Sequence, residues 1–382
     1  MPDLSPATRS AARRDDVLTK RALNRATIER QFLRERVSLG AVEAIEHLVG
    51  MQSQQPLAPY VGLWTRLDSF AVEELAQATT ERQVVRAPMM RGTLHAVSAR
   101  DCLALRPVVQ PVLERATYAG SPFGKALAGL DEDTFLALAR HELEAQTRTR
   151  LALGALLNKR WADRDASSLA YCATYLLPVV QVTPRGVWGG HGQATWTTVE
   201  SWLGRGLTKR PAVGPMVMRY FAAYGPATVM DVQAWCGLTR LSEVVDRLRP
   251  RLRSFRGEDG SELFDLPDAP RPDPETPLPP RFLPAYDNLL LSYADRSRVI
   301  HEEHAPEVLP GNGAGGGSFL LDGAFAGFWR INRAGESATL LIEPFKRLSS
   351  ADRNALSEEA GCLVEFVAAD AERHDVAFTA VG

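Results

Sequence analysis

Residues 214–266 read GPMVMRYFAAYGPATVMDVQAWCGLTRLSEVVDRLRPRLRSFRGEDGSELFDL, and this stretch sets the expectation for the fold. GPMVMRYFAAYG has a helical pattern. ATVMDVQAWCG follows, with Thr228 placed as an N-cap. TRLSEVVDRLRP is a third helical run. RLRSFRG and SELFDLP are β-prone and flank an Asp259-Gly260 turn. Three helices followed by a hairpin is the winged-helix arrangement, a variant of the helix-turn-helix.

The same order occurs twice upstream. In 16–97, DVLTKRALNRATIERQFL, SLGAVEAIEHLVG and AVEELAQATTER read as helices, with Ser38 capping the second and Gly50 ending it. QVVRAP and RGTLHAVS are the paired strands. In 131–191, DEDTFLALARHELEAQ carries acids in its first turn, where the helix dipole favours them. RLALGALLNKRW and SSLAYCATYLLP follow, then VVQVTP and RGVWGG as strands. The three units share a pattern and not a sequence.

Downstream, PDAPRPDPETPLPPR (267–281) is proline-dense and reads as a stiff linker. FLPAYDNLLLSYA, GSFLLDGAFAGFWRINRAG and SATLLIEPFKRL are apolar strand candidates, and SSADRNALSEEAGCLVEFVAAD is a serine-capped helix. The expected fold is α+β: three tandem winged helices (16–115, 116–205 and 206–266), the linker, and a small β-barrel over 282–382.

The chain has 382 residues, which at about 150 per domain suggests two to three domains; four small ones exceed that. Hydrophobic residues at 45% and charged residues at 24% exclude a disordered or fibrous chain. No apolar run reaches membrane-spanning length, so no membrane partner is expected. The N-terminus lacks the apolar core of a secretory signal, and the expected location is the cytoplasm. Cys102, Cys172, Cys236 and Cys362 are scattered, form no CxxC pair and are expected to be reduced.

The formal net charge of −2 hides local faces. Residues 9–36 carry a net +5, from Arg9, Arg13, Arg14, Lys20, Arg21, Arg25, Arg30, Arg34 and Arg36 against Asp15, Asp16, Glu29 and Glu35. Residues 240–256 carry +4, and Arg249, Arg251 and Arg253 alternate along the expected wing strand, on one face. Such donors suit phosphate; a solvated charged surface is the plain alternative.

Two motif matches are set aside. Gly311, Gly313 and Gly316 spell GxGxxG but lead into a strand instead of a helix. His301 and His304 in HEEH are three apart, not four, and precede Ala305-Pro306. Neither a GxSxG nucleophile elbow nor a phosphate-binding P-loop motif occurs. VGMQSQQPLAPYVGLW (49–64) is more informative. Gln52 and Gln54 follow a helix end at i, i+2, and Pro56 disfavours helix at Gln55. Glutamine does not titrate, so any chemistry here works by position and electrostatics. A polar helix-to-loop junction is the plain alternative.

With those stretches in view, the chain resembles the AlkZ/YcaQ-type winged-helix DNA glycosylases over roughly residues 20–375. The resemblance rests on MQSQQPLAPYVGLWTRL, MMRGTLHAVSARD, RYFAAYGPATVMDVQAWCGL, FLPAYDNLLLSYADRSRVI and LLDGAFAGFWRI. It implies three winged helices and a C-terminal barrel around a C-shaped, duplex-sized cleft. It implies a catalytic Gln-x-Gln at Gln52-Ser53-Gln54, as in the AlkZ-like branch; the YcaQ-like branch has Gln-x-Asp. The middle residue of that motif is usually apolar, and Ser53 departs from this. The implied activity is monofunctional removal of N7-alkylated purines from double-stranded DNA, including unhooking of interstrand crosslinks, without metal or cofactor. Self-resistance in producers of DNA-alkylating natural products is the implied setting.

The chemistry fits two amides. An N7-alkylpurine already carries positive charge and leaves without a general acid. What remains is to hold a water near C1′ and present oxygen dipoles to the sugar cation. Further candidates are Arg91, Thr93 and His95 on the first wing, where a structural hairpin role is the alternative. Tyr286, Asp287 and Asn288 are placed at a strand end, where an Asx-type turn is the plainer account. Arg298 could reach a phosphate or pair with Asp295. Tyr60 and Trp64 read as helix core. A monomer is expected. The competing function is a non-catalytic winged-helix DNA-binding protein or regulator.

Overall fold

The computed structural model describes residues 17–304 and 316–380. Arg9, Arg13, Arg14, Asp15, Asp16, Gly311 and Gly313 lie outside the described residues. Mixed helix and sheet make three consecutive segments with one order of elements. In the first, helix Ala41–His47 leads to strand Met51–Gln52, helices Ala58–Trp64 and Val72–Thr80, then strands Val84–Pro88 and Leu94–Ser98. In the second, helix Glu132–Ala145 leads to Arg148–Thr149, helices Arg150–Arg160 and Ala166–Leu176, then Val179–Gln181 and Thr195–Thr198. In the third, helix Val213–Tyr224 leads to an isolated bridge at Ala227, helices Val229–Cys236 and Ser242–Leu248, then Arg253–Gly257 and Glu262–Asp265.

The strands are numbered in chain order: β1 is Val17–Leu18, β2 Met51–Gln52, β3 Val84–Pro88, β4 Leu94–Ser98, β5 Arg148–Thr149, β6 Val179–Gln181, β7 Thr195–Thr198, β8 Arg253–Gly257 and β9 Glu262–Asp265. The first two hairpins share one six-stranded sheet, ordered β2-β4-β3-β6-β7-β5. Its halves read alike from either edge. They meet at a single residue pair, Arg86 on β3 and Gln181 on β6.

Two strand expectations and one helix start shift. The second hairpin closes on Thr195–Thr198 and not on RGVWGG, because Gly186, Gly189 and Gly192 take positive φ and form a loop. Arg249–Arg251 form a short 3-10 turn around Pro250, and β8 begins at Arg253, so the three arginines do not alternate along one strand. The helix expected from Ser38 begins at Ala41, where Glu43 accepts the Gly40 N–H.

Helix Lys20–Arg30 ties the chain together. β1 pairs in parallel with β8 of the third segment, and Gln31 Nε2 donates to the Ala223 carbonyl. Arg30 forms a buried bidentate pair with Asp265. Arg21 and Arg25 pair with Asp322, and Arg36 with Glu359. Arg21, Arg25, Arg30 and Arg36 are therefore spent on acids from distant sequence, and Arg34 on nearby Glu29 and Glu35. Residues 267–280 run as a strap over this helix, with Arg25 donating to the Thr276 carbonyl and Arg30 to that of Pro270.

The C-terminal part corrects the barrel expectation. Strands β10 (Arg281–Leu283), β11 (Gly316–Leu321), β12 (Ala324–Ala334), β13 (Ser337–Pro344) and β14 (Arg373–Phe378) form a sheet in that order, and β10 and β14 do not pair. The sheet is open: β10 has only three residues, and helix Ser350–Val367 packs its apolar face against Phe282, Leu340 and Ile342. No described helix is long and apolar enough to cross a membrane. One core runs from Val85, Met90 and Val97 of the first segment to Tyr220, Trp235 and Val245 of the third, while the second segment has its own around Phe135, Leu157 and Leu169.

Gly50 controls entry into β2. Its φ is +96°, and a Cβ there would sit 2.6 Å from Val97 Cγ1. Gly50→Ala is expected to lower stability by about 1–3 kcal/mol in a urea titration; an unchanged midpoint would show that the turn tolerates a side chain.

Candidate active site

Gln52 ends β2, opposite His95 on β4. The next residue, Ser53, extends the ladder by donating its N–H to the Leu94 carbonyl at 2.7 Å. The strand then stops, and Gln54 lies in a bend before helix Ala58–Trp64. The two glutamines thus differ: Gln52 is 7% exposed, while Gln54 faces solvent. Gln54 Oε1 accepts the Leu94 N–H at 3.4 Å, a long contact at the exposed end of the ladder.

Arg91 sits in the turn between β3 and β4 with φ +56°. Its guanidinium donates to Gln52 Oε1 at 2.8 Å, to Asn288 Oδ1 at 3.1 Å and to the Trp235 carbonyl at 2.6 Å. Asn288 in turn donates to the Gly50 carbonyl at 2.9 Å. Gln52 is held with its oxygen toward a cation, and its second lone pair and NH2 stay available. Burial brings Arg91 down to about 10, so it remains charged at neutral pH.

Arg86 is 3% exposed and holds Ser53 from behind. Its Nε donates to Ser53 Oγ at 2.9 Å, its Nη2 to the Ser53 carbonyl at 2.8 Å, and its Nη1 to Gln181 Oε1 at 2.6 Å. A serine at the middle of the motif is therefore an anchor, hydrogen-bonded on both side chain and backbone. Burial, with Arg185 nearby, brings Arg86 down to about 10.

The remaining sequence candidates separate. The Thr93 hydroxyl donates to the Met90 carbonyl, and the Thr93 carbonyl accepts from His95 Nδ1 at 3.1 Å. His95 is fully buried, its Nε2 has no partner, and burial with Arg91 nearby holds it down to about 3. It is neutral at working pH. Asp287 caps the 3-10 turn 288–290 and pairs with buried Arg66 at 2.9 Å, which balances its charge. Tyr286 is half-buried at φ +62°. Arg298 is buried, over the Tyr293 ring and paired with Asp231, and does not pair with Asp295. Arg249 is clamped by Glu262 and Asp246, Arg251 is exposed, and Arg253 lies over Phe255. Gln52, Arg91, His95, Asp287 and Asn288 come together; Arg249, Arg251, Arg253 and Arg298 belong to other surroundings. Tyr60 and Trp64 pack as core, with Tyr60 accepting the Trp188 N–H and Trp64 stacked on Phe366. Among the described residues, no group of three or more His, Cys, Asp or Glu is arranged to hold a metal.

Beside Gln54 opens a cleft of about 590 Å³ that sequence reading did not find. Arg86, Arg150 and Arg185 line it with Tyr175, Gln181 and Trp196, and its lining has no carboxylate. These residues come from three stretches up to about a hundred positions apart, so no local charge count reveals them.

A model of the AlkZ-like DNA glycosylase family matches residues 45–366. An interstrand DNA cross-link repair glycosylase of Streptomyces sahachiroi is 24% identical over 369 residues, spanning 87% of this chain and 92% of that protein. The solved structure of Streptomyces sahachiroi DNA glycosylase AlkZ shares the fold, with a TM-score of 0.74 at 20% identity over 95% of this chain and 100% of that one.

Two outcomes follow from the buried groups. A histidine held near 3 when folded and near 6.5 when unfolded binds its proton mainly in the unfolded state between those values. Stability therefore falls as pH drops from about 6.5, by about 1.4 kcal/mol per unit, and His95→Asn should flatten that limb in melts across the range. His47, also lowered by burial, adds in the same direction and remains in the variant. Arg86→Lys keeps a charge but loses the planar fork, and should cost about 1–3 kcal/mol of stability in a urea titration.

Proposed function

The chain belongs to the AlkZ-like DNA glycosylases, and we propose that it excises N7-alkylated purines from double-stranded DNA and unhooks interstrand crosslinks. The name of the Streptomyces relative, an interstrand DNA cross-link repair glycosylase, supports the crosslink reading. The observation that carries the proposal is the pairing of a buried, cation-held Gln52 with an exposed Gln54 two residues later. No proton donor is needed, since the alkylated base leaves neutral from a cationic substrate. Electrons of the C1′–N9 bond go to the base, and a water oxygen bonds C1′ and releases its proton to solvent. Gln52, fixed by Arg91 and Asn288, holds that water. Gln54, exposed beside the cleft, presents its amide oxygen to the developing sugar cation.

The supporting groups have proposed roles of their own: Arg91 and Asn288 hold Gln52, Thr93, His95, Tyr286 and Asp287 support that setting, and Arg249, Arg251, Arg253 and Arg298 lie in the region proposed to meet the duplex. The shared order of elements supports reading the three segments as winged helices, within the sequence-derived boundaries 16–115, 116–205 and 206–266. They and the C-terminal sheet would surround a C-shaped cleft for duplex DNA. The protein is proposed to work as a cytoplasmic monomer, protecting DNA against an alkylating natural product.

Base release from N7-methylguanine DNA and from a bis-N7-crosslinked duplex tests the function. Gln52→Ala and Gln54→Ala should each lose at least about 100-fold in single-turnover rate, with duplex binding retained. Wild-type rates in the double variant would refute the catalytic assignment. Because the amides do not titrate and His95 stays neutral, the rate should be flat from about pH 6 to 8.5.

A further inference from the structure

Several arginines that join distant parts of the described structure are paired with carboxylates: Arg30 with Asp265, Arg66 with Asp287, Arg219 with Asp101 and Arg281 with Glu359. Arg86, Arg150 and Arg185, which line the cleft beside Gln54, have no carboxylate within ion-pair distance among the described residues. Two larger cavities near Lys20 are lined by acids as well as bases, including Glu258, Asp259 and Asp322. This cleft has three cations and no anion.

The cations are built in, not merely exposed. Arg150 begins helix Arg150–Arg160, its Nε donates to Thr174 Oγ1 at 3.0 Å, and its guanidinium lies over Trp196 at 4.9 Å, Tyr171 at 5.4 Å and Tyr175 at 5.7 Å. Three rings and two hydroxyls, those of Thr174 and Tyr175, hold the group, and a guanidinium with five N–H donors keeps others for a ligand. Tyr175 is itself held, stacked on Tyr171 and donating to the Gly92 carbonyl. Arg185 stands on the glycine-rich loop between β6 and β7; its Nη1 reaches only the Gly192 carbonyl, at 3.2 Å, and its Nε is buried with no partner. Arg86 spends three of its donors on Ser53 and Gln181 and contributes chiefly charge.

We propose that Arg150 and Arg185 form a binding site for a phosphodiester of the DNA strand that carries the target nucleotide. Its two charged oxygens match two guanidinium forks. The phosphates flanking the reacting sugar are the anions that any DNA substrate brings to Gln54. Holding one of them sets the register of C1′ against the glutamines, as phosphate contacts position a protein without reading sequence. The site rests on the glycosylase reading for its occupant, and it assigns DNA contact to the second segment, where the sequence placed none.

Salt dependence of binding to an undamaged duplex tests it. For each phosphate contact removed, the slope of log binding constant against log salt should become shallower by about 0.9. Arg150→Gln and Arg185→Gln should each make the slope shallower by part of that amount, and the double variant, which loses the one phosphate they share, by about 0.9 in all. Arg333→Gln, on β12 and already paired with Asp370, should keep the wild-type slope. Arg185 lies on a loop and packs little, so its variant reports even where Arg150→Gln disturbs folding. A wild-type slope in both Arg185→Gln and the double variant overturns the site. Loss of slope with no base release by the wild type would retain the site and sink the glycosylase reading. Absence of duplex binding by the wild type would overturn both.

Discussion

The guanidinium of Arg86 is the point on which the candidate site depends. The first two segments share a sheet, yet their halves touch in the ladder at one residue pair, Arg86 with Gln181. The same side chain crosses that seam to Gln181 Oε1 and reaches back to Ser53, between the two glutamines. Its partners are all neutral. A buried cation among dipoles is costly unless every donor direction is met, and a planar fork meets several at once where an ammonium cannot. Gly186 lies so close above it that a Cβ would fall 2.5 Å from Arg86 Cδ. The loop between β6 and β7 therefore confines Arg86, and Arg86 confines the strand end that carries the glutamines.

That arrangement suits chemistry done by position. Neither glutamine can take or give a proton, so catalysis must come from where their dipoles point. The backbone around them is correspondingly constrained. Val49, Arg91 and Tyr286 all take positive φ near β2, and a β-branched residue there is an outlier in ordinary chains. The core around Tyr220, Tyr224 and Trp235 supports this region, with Tyr224 donating to the Leu48 carbonyl just before the turn. Gln52 inherits that rigidity through Arg91 and Asn288, while Gln54 escapes it by one bend.

Charge follows a similar logic. A net charge of −2 and a basic N-terminal run both suggest simple stories, and neither survives folding. Arg21, Arg25, Arg30 and Arg36 meet acids from positions 265–359, and the wing arginine Arg249 meets Glu262. The unpaired cations that remain beside Gln54 come from residues that look unremarkable in the chain. Pairing, more than abundance, decides which arginines stay available to an outside anion.

Local sequence determined much of this protein. The helix order of the third segment, the Thr228 cap, the third hairpin and the Gln-Ser-Gln motif were all legible, because helical period, capping chemistry and turn residues act within a few positions. The two-residue strands β2 and β5 were not, since their only stabilising partner is the last strand of each hairpin, some forty positions away. Nor was the open form of the C-terminal sheet, which depends on β14 returning to lie parallel with β13. The motif could be found but not divided: only the fold buries Gln52 under Arg91 and leaves Gln54 in solvent. The basic cleft was invisible altogether, because Arg86, Arg150 and Arg185 become neighbours only when two hairpins join at one seam, and such long-range pairing leaves no mark on any local stretch of sequence.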